Sequence, residues 1–372
     1  MLSKSIFPWL TTLLRQPLTP QTMLVAASRC VNRVHLQNRP TSWFNIGATG
    51  RTYFLELKNR VTAFTLFNSA HRILHSVPRT APRLRNFTTT LRDSSSWHAL
   101  WKAEGLGYYH AVEALKGRAI PKGLLSSASL EGVPPSWLVP LHTGMGMAFA
   151  NDYCHGRNSA ERVGVATFLD LCEANSTFGY SGAAIEAMGL VCSLVRPESV
   201  SAVSEEFEHR GSDCAQRFWH GYGRGLYFSA TNFLPCANML WPALDRAKSE
   251  PTSESGRANA VAGLAWAITL INVRHPEVLE TFLSTNHPDL HSDAFANGVN
   301  SALIVWSDWA PDSTYAEDLF DHVRKTKLHS FVEAFRRQIC VNCDRKSGWQ
   351  HRELKQRNRV QDLFRYQPVL SE

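Results

Sequence analysis

Charge is scarce in this sequence: Asp, Glu, Lys and Arg make up 19% of its 372 residues. A chain with so little charge and 44% hydrophobic content is neither a wholly disordered polyelectrolyte nor a long coiled coil. Long hydrophobic runs are missing too. The longest uncharged, mostly apolar stretch, Val261 to Val273, has 13 residues, short of the roughly 18 that a membrane-spanning helix needs. No transmembrane segment is expected.

Cysteine is also thin. Cys30, Cys154, Cys172, Cys192, Cys214, Cys236, Cys340 and Cys343 are too widely scattered for a disulfide framework. The middle five lie in apolar sequence and read as small buried thiols of a reducing compartment. Cys340-Val-Asn-Cys343 has neither a second such pair nor paired histidines, so no metal site is assigned to it. No segment keeps an alternation of period two, and strands are not predicted. G-x-G-x-x-G, the phosphate-binding loop, G-x-S-x-G and H-E-x-x-H are all absent as complete motifs. No cofactor is expected.

Acidic residues are missing from residues 1–55, which carry Lys4, Arg15, Arg29, Arg33, Arg39 and Arg51. Residues 1–95 hold 13 Lys and Arg against Glu56 and Asp93, whereas the rest of the chain holds 26 basic and 30 acidic residues. The net charge of +7 therefore belongs to the N-terminal part and does not indicate a nucleic-acid groove in the body. Residues 1–95 read as a basic, largely disordered leader. A cytoplasmic location is expected, with organelle targeting as the alternative if residues 1–55 act as a presequence.

What is present begins near residue 96. Small residues recur in Gly105-Leu-Gly107, Gly144-Met-Gly146, Gly182-Ala-Ala184, Gly223-Arg-Gly225, Gly263-Leu-Ala265 and Gly298-Val-Asn300, with leading glycines 39, 38, 41, 40 and 35 residues apart. That period is the period of helix pairs. Amphipathic segments with helix-start signals fill the intervals, notably those from Ser159, Pro197 and Pro276. A glycine inside a helix costs about 1 kcal/mol relative to alanine, and close approach of neighbouring backbones offsets the cost. The expected fold is all-α: about six stacked helix-pair repeats over residues 96–335, solenoid-like, with closure toward an α/α toroid as the alternative. Residues 336–372 form a basic C-terminal tail.

Stacked pairs leave a groove, and its candidate ligand-binding residues are Arg224, His220, His142 and Asp152. Arg224, with glycine on either side, needs an anionic partner once desolvated. Two sources are open: an ion pair to Asp213 or Glu186, or the acidic end of a ligand lying along Leu226, Phe228, Trp266 and Ile268. Both histidines read more readily as satisfied structural groups.

Three segments carry a family resemblance: residues 140–150, Phe218-Trp-His-Gly-Tyr-Gly-Arg-Gly-Leu-Tyr-Phe228 and Ala262-Gly-Leu-Ala-Trp-Ala267. Together they resemble a bacterial family of unknown function encoded beside enediyne and other polyketide biosynthesis genes. The likeness spans roughly residues 96–335 and supplies no catalytic residues. It implies a non-enzymatic scaffold or binding protein of secondary metabolism, holding a protein partner or a hydrophobic acidic small molecule. The alternative is an α/α-toroid enzyme acting on a hydrophobic metabolite, for which Asp318-Leu-Phe-Asp321 is only a fragment of an Asp-rich motif.

Overall fold

The computed structural model describes residues 48–76, 94–117, 119–155, 164–229, 241–283, 292–325, 354–357 and 359–367, with positions 84, 86, 87, 91 and 290. Among them every regular element is helical. Seven long helices form an inner row: α1 (Ala48–Ser76), α2 (Ser96–Leu115), α3 (Leu138–His155), α5 (Ser181–Val195), α7 (Ser212–Tyr227), α9 (Glu254–Asn272) and α11 (Asp293–Trp309). Shorter helices lie between or after them: α4 (Val165–Asn175), α6 (Val200–His209), α8 (Trp241–Ser249), α10 (Pro276–Leu283) and α12 (Tyr315–Lys325). Each inner helix packs on the next one in the row.

The two kinds of helix bury themselves differently. Every residue of α5 is buried, as befits a helix that is apolar or small all round. By contrast α6 buries only Val200, Val203, Ser204 and Phe207, a single face. Two of the expected start signals are in place: Pro276 opens α10 and Pro197 opens a short 3-10 turn before α6, while Ser159 lies outside the described residues; Ser253 and Ser292, which were not expected, accept hydrogen bonds from Gly256 N–H and Phe295 N–H at the starts of α9 and α11.

The repeated small residues sit where the inner helices touch. A Cβ on Gly144 would collide with the Glu104 carbonyl, one on Gly223 with that of Ala260, one on Gly263 with that of His220, and one on Gly298 with that of Ala262. Gly221 meets Glu186 while Gly225 meets Leu190, so α5 and α7 run parallel, as a short return helix between them requires. Gly182 is different: it faces Gln361 of the C-terminal segment.

Two parts of the chain depart from expectation. The leader was expected to stay irregular through residue 93, yet Ala48–Ser76 is a continuous helix that extends the inner row by one member. It buries Ala63, Phe67, Ala70 and Leu74, and Gly105 of α2 lies directly against the Phe67 carbonyl. Its polar residues are buried as well. Tyr227 Oη donates to Glu56 (2.7 Å), Asn272 Nδ2 donates to Tyr227 Oη (2.9 Å), Asn59 Nδ2 donates to Asn272 Oδ1 (3.0 Å), and Arg60 donates to the Tyr227 carbonyl (3.3 Å). A polar stripe in α1 hides its amphipathic signal, because the face that reads as solvated is satisfied inside the protein. Residues 1–47 of the expected presequence, 1–55, lie outside the described residues, and 48–55 belong to α1.

The second departure is at the other end. Residues 359–367 of the expected basic tail lie across the row, with Val360, Leu363 and Phe364 buried. Arg365 pairs with Asp213 (2.7 Å) and Asp362 (2.8 Å), and Tyr366 N–H donates to Asn259 (2.6 Å). The Cys340 and Cys343 pair lies outside the described residues.

Candidate ligand cavity

Along the helices α1, α2, α3, α5 and α7 the packing leaves a cavity that is partly open to solvent. Its walls are apolar: Phe64 and Phe67 from α1, Trp101 from α2, Met147 from α3, Leu190, Val191, Leu194 and Val195 from α5, and Phe228 after α7. Polar groups are few. Glu104 and Arg224 supply its charged groups, and Tyr108, Asn68, Asn151 and Ala63 also line it. An apolar enclosure with a small number of convergent polar groups is the usual form of a small-molecule site.

Arg224 is 2% exposed and is held on three sides. Its Nη1 donates to Glu186 Oε2 at 2.6 Å, its guanidinium carbon lies 4.0 Å from the Trp266 ring centroid, and Nη2 stands 3.8 Å from Glu104 Oε1. The last distance is an electrostatic contact, too long for a hydrogen bond. Glu186, the single charged residue of α5, also takes the Nδ1–H of His220 at 2.5 Å. The glycines around Arg224 therefore serve backbone approach. With Gly221 against Glu186, Gly223 against Ala260 and Gly225 against Ser193, helix α7 comes close enough for its guanidinium to reach a carboxylate on α5 and a ring on α9.

Glu104 is the other half of the charged pair. It is 6% exposed and makes no side-chain hydrogen bond among the described residues. Burial pushes its carboxyl up to about 7, with Arg224 pulling the other way and Glu186 adding to the rise. A carboxyl in such a place donates a hydrogen bond when protonated and accepts one when ionised.

The sequence-predicted residues divide. Arg224 lines the cavity, and His220 stands behind it through their shared partner Glu186, its own Nε2 buried without a partner among the described residues. His142 does not line the cavity. Its Nδ1–H donates to the Leu138 carbonyl (2.6 Å), its Nε2 accepts from Thr177 N–H (2.9 Å), and its ring stacks on Tyr180 at 5.3 Å. Burial holds it neutral, down at about 4. Asp152 is half-buried near the end of α3 and outside the lining, while its neighbour Asn151 faces in. Of the expected ligand track, Phe228 lines the cavity, Trp266 covers Arg224, and Leu226 and Ile268 are fully buried core. Asp213 pairs with Arg217 and Arg365 instead of Arg224.

Glu104 is the residue that sequence reading missed. Its signal was a lone acid directly before the first repeat glycine, in the register where other repeats have Thr143, Ser181, Tyr222, Ala262 and Asn297. Among the described residues no three His, Cys, Asp or Glu side chains gather to hold a metal ion, and no helix is long and apolar enough to cross a membrane. In comparisons with known proteins, no family model, no curated protein and no solved structure matches this chain.

Proposed function

We propose that this protein is a non-enzymatic binding protein that holds a hydrophobic small molecule in the cavity between α1 and α5. The observation that carries this reading is the combination of apolar walls with a charged pair, Glu104 and Arg224, in the lining. Burying a charged pair there is costly unless it is used or fully satisfied, and among the described residues Glu104 has the 3.8 Å ion pair with Arg224 but no side-chain hydrogen bond. The sequence resemblance to the enediyne-associated family adds the setting: a polyketide-type pathway whose intermediates are long and apolar with oxygen at intervals.

Titration of a fluorescent long-chain probe tests the reading. Wild type binds one equivalent, and Leu194→Trp, which fills the cavity from α5, loses binding while melting within a few degrees of wild type. Equal binding by both would discard the cavity. A second reading, an enzyme acting on a hydrophobic metabolite, draws on the Glu104 carboxyl raised to about 7, the range of a general acid or base. Conversion of a bound compound by wild type and not by Glu104→Gln would establish it.

A further inference from the structure

Arg224 and Glu104 both line the cavity, and the gap between them has a size that selects what fits it. Two contacts fix the guanidinium: Nη1 donates to Glu186 Oε2 at 2.6 Å, and the Trp266 ring centroid lies 4.0 Å from its central carbon. Nη2 is left facing Glu104 Oε1 at 3.8 Å. That pairing favours the carboxylate form of Glu104, yet the two atoms are too far apart to bond each other directly. Glu104 makes no side-chain hydrogen bond among the described residues, so an ionic acceptor and an ionic donor stand side by side in the lining with a space between them.

A single oxygen atom at an ordinary hydrogen-bond length of about 2.8 Å from each partner closes a triangle on that 3.8 Å base. To bond both, it must accept from Nη2 and donate to the carboxylate. A hydroxyl does both from one atom. A ketone or ester oxygen has no hydrogen for Glu104, an ammonium has no lone pair for Nη2, and an amide divides the two roles between separate atoms. The hydroxyl oxygen has a second lone pair for the acid form of Glu104, so the fit does not turn on the protonation state of that carboxyl.

Resting on the reading of this cavity as a ligand site, we infer that the ligand class is a hydrophobic alcohol, whose hydroxyl bridges Glu104 and Arg224 Nη2 while its apolar body meets Phe64, Phe67, Leu190 and Leu194. A wholly apolar ligand displaces the water that otherwise solvates this pair and leaves both partners unbonded, which is the source of the selectivity.

The test compares dodecanol, dodecyl methyl ether, tridecane and dodecanoate by competition against a fluorescent long-chain probe on the full chain. The ether keeps an oxygen that accepts and loses the hydrogen that donates. Transfer from water into apolar surroundings alone favours the ether over the alcohol. In wild type the order is reversed, with dodecanol binding about tenfold tighter than the ether. Glu104→Leu restores the order of simple transfer, ether ahead of alcohol, and still binds tridecane. Glu104→Gln, of nearly the same shape and still an acceptor, keeps the alcohol ahead. If the ether equals or exceeds the alcohol in wild type while displacing the probe, water fills the gap and the hydroxyl inference is overturned, although the cavity reading stands. The inference is overturned as well if Glu104→Leu keeps the alcohol ahead, or if dodecanoate binds most tightly and marks an anion site at Arg224. If no compound displaces the probe, or the probe does not bind, the cavity reading itself fails.

Discussion

At the scale of single residues, burial moves two titrating groups in opposite directions, and stability should record both. His142 is held down at about 4 from an ordinary 6.5, so the unfolded chain takes up its proton first and stability falls as pH drops from about 6.5 to about 4. Glu104 is raised from 4.5 to about 7, so the folded chain keeps a proton that the unfolded chain has lost, and stability falls as pH rises from about 4.5 to about 7. Each effect approaches about 1.4 kcal/mol per pH unit, and over their shared range they oppose one another. Chemical denaturation of variants separates them. Glu104→Gln is expected to gain stability over wild type above pH 7 and to lose that gain near pH 4.5. His142→Ala is expected to be less stable throughout, with its deficit largest near neutrality and smaller toward pH 4. Variants with the same pH slope as wild type would show that neither group is buried as described.

At the scale of helices, the sequence disclosed the inner row through its glycines and concealed α1. The period of 35 to 41 residues between Gly105 and Gly298 marks the contacts, because only a residue without Cβ allows one backbone to reach the neighbouring carbonyl. Helix α1 has no such glycine at its contact: it presents Phe67 and Ala70 to Gly105 of α2, and its Glu56, Asn59 and Arg60 resemble a solvated face until Tyr227 and Asn272, far along the chain, are seen to satisfy them. Long-range polar pairing of this kind leaves no periodic trace. Two outcomes follow at this scale. Gly144→Ala forces a Cβ into the Glu104 carbonyl and is expected to cost about 2 kcal/mol or more, whereas Gly164→Ala, with nothing within 4 Å, should cost under about 1 kcal/mol. Equal losses in urea denaturation would mean that the inner helices are not in contact there. A chain beginning at Ser94 lacks α1, leaves Tyr227 and Asn272 without their α1 partners, and should melt several degrees below the full chain. An unchanged midpoint would show that α1 does not belong to the packed body.

The whole molecule explains why half of the site was legible. Arg224 stood out because an arginine flanked by glycines is hard to place in a packed helix, and Glu186 was within reach of its repeat spacing. Glu104 could not be paired with Arg224 from sequence, since their proximity depends on α2, α5 and α7 converging around one space, and nothing in a single helix encodes that. The same holds for the apolar wall, which α1 completes with Phe64 and Phe67. Early and late helices also touch: Trp97 Nε1 of α2 donates to the Leu270 carbonyl of α9 (3.4 Å), Trp309 Nε1 donates to the Ser96 carbonyl (2.7 Å), and Trp137 lies 5.3 Å from Trp309, ring to ring.

The central claim is that a hydrophobic molecule occupies the space bounded by α1, α2, α3, α5 and α7. Diffraction from crystals of the full chain soaked with a long-chain hydrocarbon brominated at one end tests this most directly, because the anomalous signal of bromine locates the chain without interpretation of weak density. The account predicts a bromine peak among the cavity-lining residues Leu194, Val195, Phe64 and Phe228. A well-ordered bromine anywhere else, with the cavity holding only water, would contradict it.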